Sequence, residues 1–130
     1  MPQLRVLILA AYALLVTSAG LSAGPTLLAG SEWGLGKQDQ RYVQFASGGK
    51  VSGNAGCNRF FSTYQQDGNL LKIAEIATTR KLCSEAEMKL EAEWLDLLAK
   101  VRSIELTHLK LVLFGENNAQ LAELKRREFD

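Results

Sequence analysis

Two cysteines, Cys57 and Cys83, and one histidine, His108, are the residues of this sequence that could supply a nucleophile and its base. A thiolate beside an imidazole would support covalent acyl chemistry. His108, however, lies in Thr107-His108-Leu109, which reads as a hairpin turn, and nothing in the spacing brings it to Cys57. One histidine and two distant cysteines also lack the paired spacing of a zinc site. The glycine-rich run Gly53-Asn54-Ala55-Gly56-Cys57-Asn58 raises the question of a phosphate cradle. A Walker loop must end in Gly-Lys-Ser/Thr, and a dinucleotide fingerprint must open a helix. Here Arg59-Phe60-Phe61-Ser62-Thr63-Tyr64 follows, which is strand-like, and no serine-centred elbow occurs. The residues therefore assign no catalytic group, no cofactor and no metal, and the expectation is a non-enzyme, with an enzyme of unknown type as the remaining alternative.

The elements that position these residues begin after an atypical start. Arg5 precedes an apolar run from Val6 to Val16, which passes into Thr17-Ser18-Ala19-Gly20-Leu21-Ser22-Ala23-Gly24. A basic start, a short apolar core and a small-residue exit read as a secretory signal peptide over 1–23. The run falls short of the roughly 20 apolar residues that a spanning helix needs, so no stable membrane span is expected after cleavage. Residues 24–30 read as a linker and 31–127 as one domain, periplasmic or secreted. The 130-residue chain is 47% hydrophobic and 22% charged, which suits a single globular core. Loss of 1–23 removes Arg5 and no acid, leaving equal numbers of basic and acidic residues. Neutrality argues against nucleic-acid binding, which draws its affinity from clustered Lys and Arg. Lys125-Arg126-Arg127 is offset by Glu123, Glu128 and Asp130 and reads as a solvated strand end.

Within the domain, Ser31–Leu35 reads as a first strand with Trp33 inward, and Arg41–Ala46 as a second. Ser47-Gly48-Gly49-Lys50 supplies a turn into Val51-Ser52-Gly53, and Asp67-Gly68 marks a hairpin after Phe60–Gln65. A strand from Leu70 to Ala77 is apolar on both faces. Ser84-Glu85-Ala86-Glu87 is a capping box, and Leu90, Trp94, Leu97, Leu98 and Val101 form the buried stripe of a helix. Glu91 projects between Leu95 and Leu98, either reaching solvent at the edge or serving as a partly buried partner for Arg59 or Arg80. Period two returns at Ile104–Leu106 and at Leu109, Leu111 and Leu113, and a last strand spans Gln120–Arg127. The tally of about eight strands with one packed α-helix makes the fold mainly β (α+β) and antiparallel.

An exported domain with two cysteines invites a Cys57–Cys83 disulfide, with two separate buried thiols as the competing reading. The bridge would close a loop of about 27 residues and stabilise by about 3.5 kcal/mol on the chain-entropy estimate.

Gly53-Asn54-Ala55-Gly56-Cys57-Asn58-Arg59-Phe60, the Tyr64 and Asp67-Gly68-Asn69-Leu70 spacing, and Ile76-Ala77-Thr78-Thr79-Arg80-Lys81-Leu82-Cys83 before a helix resemble the META domain, or heat-shock protein HslJ, family. Trp33-Gly34-Leu35 and Leu109-Lys110-Leu111 are similar to that family's first and late strands. The resemblance implies an antiparallel β-roll or barrel-like domain with one helix, on a bacterial envelope or secreted protein associated with heat shock, stress or resistance. It names no ligand or reaction. Relatives are commonly lipoproteins, and no lipid-bearing cysteine follows the leader here. The expected role is a monomeric envelope domain that binds a protein or small-molecule partner. Asn54, Asn58 and Arg59 are the candidate partner surface. The alternative is a carrier whose barrel interior is lined by Tyr42, Phe45, Phe60, Phe61 and Trp94.

Overall fold

A computed structural model describes residues 26–127; the segment read as a signal peptide, 1–23, lies outside the described residues. Among the described residues, nine strands and one α-helix follow in the order β1 (Ser31–Gly34), β2 (Tyr42–Phe45), β3 (Lys50–Asn54), β4 (Arg59–Asp67), β5 (Leu70–Ile73), β6 (Ala77–Thr78), α1 (Glu85–Lys100), β7 (Ser103–Leu106), β8 (Lys110–Phe114) and β9 (Gln120–Arg126), with a single 3-10 turn at Glu116–Asn118 between the last two. All pairings are antiparallel, in the order β3-β2-β1-β9-β8-β7-β5-β4, and β3 pairs back onto β4. Eight strands thus close into a barrel, as an antiparallel sheet must when it is to leave no long free edge. The ninth, β6, lies on β4 against Phe60 and Phe61.

Closure is uneven. β3 and β4 share five register pairs, whereas β5 and β7 share one, Leu70↔Ser103. α1 serves that thin seam, entering beside Asn58, where Glu91 meets its backbone N–H, and leaving at Arg102, whose carbonyl accepts the Leu71 N–H at 3.0 Å. Trp94, Leu98 and Val101 pack inward from it.

The single strand expected from Leu70 to Ala77 is two strands with a break at 74–76. Ala74 N–H still reaches Thr63 O, but the Ser62 hydroxyl then sits 2.9 Å and 3.0 Å from the carbonyls of Ala74 and Glu75 and takes them out of the ladder. Leu109, expected on one face with Leu111 and Leu113, is exposed in the β7–β8 turn. Within the stretch read as a linker, Leu28 is fully buried, and its N–H donates to Gln66 Oε1 at 2.9 Å.

The interior is filled by side chains. Trp33, Phe45, Phe60 and Trp94 are at most 1% exposed and share one cluster with Val43, Leu98 and Leu111. Of the aromatics expected to line a carrier cavity, Phe45, Phe60 and Trp94 are therefore core. Phe61 points outward, and Tyr42 lies under the Arg127 guanidinium at 4.2 Å. The reading of the barrel interior as a carrier site is corrected accordingly: β4 alternation sends Phe60 in and Phe61 out. Gly53 is required by this packing, because a Cβ there would lie 2.0 Å from Tyr42 O and 2.8 Å from the Phe60 ring.

Candidate functional site at the cysteine junction

The glycine-rich run is a turn that delivers Cys57 and Asn58 to the start of β4. Asn54 Oδ1 accepts the Gly56 N–H at 2.7 Å, and Ala55 N–H reaches Asn58 O at 2.8 Å. Gly56 holds φ +122°, a region that side chains rarely enter. Cys57 is bonded to Cys83 with the Cα atoms 6.0 Å apart. Its sulfur is no thiol, so the cysteine nucleophile with His108 as base falls away. His108 is exposed in the β7–β8 turn, where its carbonyl accepts from Arg126.

Asn58, only 3% exposed, is the hub of the junction. Its Nδ2 donates to Lys81 O at 2.9 Å and to Glu91 Oε2 at 3.0 Å. Its Oδ1 accepts from the Thr79 hydroxyl at 2.8 Å and from the Lys81 N–H at 2.6 Å. Its backbone N–H donates to Glu91 Oε1. One carboxamide thus ties β4, the 79–83 loop and α1 together with every polar atom satisfied, which is the condition for burying such a network.

Glu91 is 5% exposed and faces neither solvent nor Arg59 nor Arg80. Its two oxygens are held by the N–H groups of Asn58. Anchoring Glu91 turns α1 so that Glu91, Trp94 and Leu98 face inward, and Leu90, expected at the head of the buried stripe, is 43% exposed. Ser84 caps the helix, its Oγ accepting the Glu87 N–H at 3.2 Å, but the Glu87 carboxylate accepts from the Ser84 hydroxyl at 3.0 Å in place of the Ser84 backbone N–H that a full capping box would use.

Beside the junction, Arg41 grips Asp39 through Nε and a terminal nitrogen (2.7 Å) and reaches Leu90 O at 3.3 Å. Its guanidinium lies 5.8 Å over the Trp94 ring, whose buried Nε1 has no acceptor. The hydrogen bond from Arg41 is the main cause holding the Asp39 carboxyl below its ordinary pKa, and the same bond raises Arg41. A carboxylate depressed in the folded state adds stability above its unfolded pKa of about 4 and loses it as pH falls through the lower folded value. Asp39→Asn is expected to cost about 1–2 kcal/mol at pH 7, since the pair is partly covered, with side chains 13% and 29% exposed, and the asparagine keeps some of its hydrogen bonds. The difference between wild type and variant should shrink in urea melts as pH falls through the lowered folded value of Asp39.

Of the candidate partner surface, Arg59 is exposed and stacks on Phe61 at 5.9 Å. Asn54 is half-buried with its oxygen turned to Gly56. Asn58 is corrected from exposed to buried, because its side chain makes the loop-to-helix connections. A buried, fully bonded carboxylate and a closed disulfide form a clamp with no group free for proton transfer or attack. Among the described residues no cluster of His, Cys, Asp and Glu could hold a metal ion, and no helix is long and apolar enough to cross a membrane.

Comparison with known proteins agrees with this architecture. An NMR structure of a protein from Burkholderia xenovorans is similar at TM-score 0.62 and 19% identity, over 78% of this chain and 85% of that one. A DUF4847 family protein from Bacteroides vulgatus is similar at TM-score 0.55 and 17% identity, over 70% of this chain and 62% of that one. These likenesses show the fold. No functionally curated protein matches. The sequence model of the META domain matches residues 26–128, the whole described body including the clamp, and the chain belongs to the META domain family.

Proposed function

We propose that this chain is an exported, non-enzymatic domain of the cell envelope, of the heat-shock protein HslJ kind, which binds a protein partner under stress. The observation that carries the reading is the Cys57–Cys83 bridge between the turn before β4 and the loop before α1, since such a bridge persists in oxidising compartments and is rare in the cytosol. The leader-like segment at 1–23 supports export and a periplasmic or secreted location. A filled interior and a clamp with no free reactive group favour a role played on the surface, by a protein partner over an enclosed small molecule. Arg59 stacked on the exposed Phe61 is the contact offered there, being the arginine-aromatic pairing that interfaces favour.

Folded domain used as bait on an envelope extract is expected to enrich one protein. Arg59→Glu/Phe61→Ser should weaken that capture while leaving the urea midpoint within about 0.5 kcal/mol of wild type, as befits exposed positions. Recovery of the full chain from the cytosol with both thiols free, or capture unaltered by the substitutions, would count against the reading.

A further inference from the structure

The thin seam of the barrel leaves part of a strand without a neighbour. Ala74 N–H donates to Thr63 O, which makes Tyr64↔Ile73 a pair whose own peptide groups point away from each other. The peptide groups of Leu71 and Ile73 therefore face away from β4. Leu71 N–H is taken by Arg102 O, but β5 pairs with β7 only at Leu70. Both peptide groups of Ile73, a residue 8% exposed, thus point toward a cleft between β5 and the end of α1, while Leu71, 2% exposed, is closed off. That cleft has a volume of about 610 Å³; Leu71 and Ile73 line it with Ala99, and Lys72 and Arg102 supply its cations. The one acid in its lining, Asp67, stands a strand further off on β4, across from Leu70.

We propose that this cleft is the seat of an extended, acidic segment of the partner protein, added as a strand to the free edge of β5. This rests on the partner-binding reading above and adds to the Arg59–Phe61 contact a second one, on the β5 edge. A strand laid there would meet the Ile73 N–H and C=O through its main chain. Its inward side chains, apolar, would lie against the exposed Ala99 and the rim at Ile73, Leu71 being buried already. Its outward side chains, one position on, would stand beside Lys72 and near Arg102, where carboxylates are the matching charge. Self-pairing of two copies along this edge would set Lys72 near Lys72, and like charge is how natural edges deter it.

Two measurements on the folded domain test the proposal. In hydrogen exchange, the Ile73 amide is expected to exchange much faster than the Lys72 amide, which points into the β4 ladder. Equal protection of the two would show that the edge is not free and overturn the site. An end-capped peptide of alternating Val and Glu should then slow Ile73 exchange and shift the β5 amide resonances. Lys72→Glu should weaken it by about two- to fivefold, the weight of one exposed ion pair, and Ala99→Trp, which fills the cleft from an exposed helix position, should abolish it; thermal melts confirm that both variants fold. Equal binding of a peptide N-methylated on its edge-facing amides would overturn strand addition, as would shifts confined to another face. The envelope capture separates the two ideas. If wild type enriches a partner and Ala99→Trp retains it fully, the cleft is wrong and the partner reading stands; if wild type enriches nothing, that reading fails first.

Discussion

Glu91→Ala is expected to lower the unfolding free energy by about 3–4 kcal/mol, because it strands two buried donors, each costing about 1–3 kcal/mol when left unpaired. Those donors are the Asn58 N–H and Nδ2–H, which have no route to water at a residue 3% exposed. Glu91→Gln keeps an oxygen for one of them and sets an NH₂ group against the other. Asn58 cannot flip in response, since its own oxygen is committed to Thr79 and Lys81. The glutamine variant should therefore lose about 1–2 kcal/mol, roughly half the alanine effect. Asn58→Asp should be worse than either, as it replaces the donor with a second carboxylate facing Glu91. Urea denaturation at neutral pH measures the series. A Glu91→Ala midpoint equal to wild type would mean that the carboxylate is a passenger on the helix and that the junction is held by the disulfide alone.

This clamp is also where the sequence was least legible. The Asp67-Gly68 hairpin, the Ser84 cap and the inward Trp33 follow from local chemistry, and each occurs where its spacing places it. The seam, the break at 74–76 and the pairing of Glu91 with Asn58 depend on residues that meet only when the barrel closes. Glu91 and Asn58 are 33 positions apart. The one local sign was a glutamate set into an apolar stripe, which flags a buried polar group without naming its partner. Asn58 carried no such sign, because an asparagine in a glycine-rich turn is ordinarily exposed and here fills its hydrogen bonds through a loop 21 to 23 residues later. Leu90 gave way to Glu91 as the inward residue for the same reason: the helix is rotated by its contact with the turn, whatever its own hydrophobic face prefers.

Cutting the Cys57–Cys83 bridge, by Cys57→Ser/Cys83→Ser or by reduction, should cost about 3.5 kcal/mol, with 2–5 kcal/mol the usual span for small exported domains. The bridge spans 26 positions and holds the 79–83 loop against β4 at the same place as the Asn58 carboxamide. The two devices therefore fix one loop, and their losses should not add. Once the bridge is gone the loop carrying Lys81 and Thr79 is freer to leave Asn58, so part of the network is already lost before Glu91 is touched. A cycle of wild type, the serine pair, Glu91→Ala and the triple variant should give a combined loss smaller than the sum by about 1 kcal/mol, a coupling ordinary for residues in one network. Strict additivity would show two independent fastenings. Coupling of the expected sign would show a single cooperative latch, whose stability falls sharply in a reducing compartment, so that the domain is strongest where a disulfide can be kept.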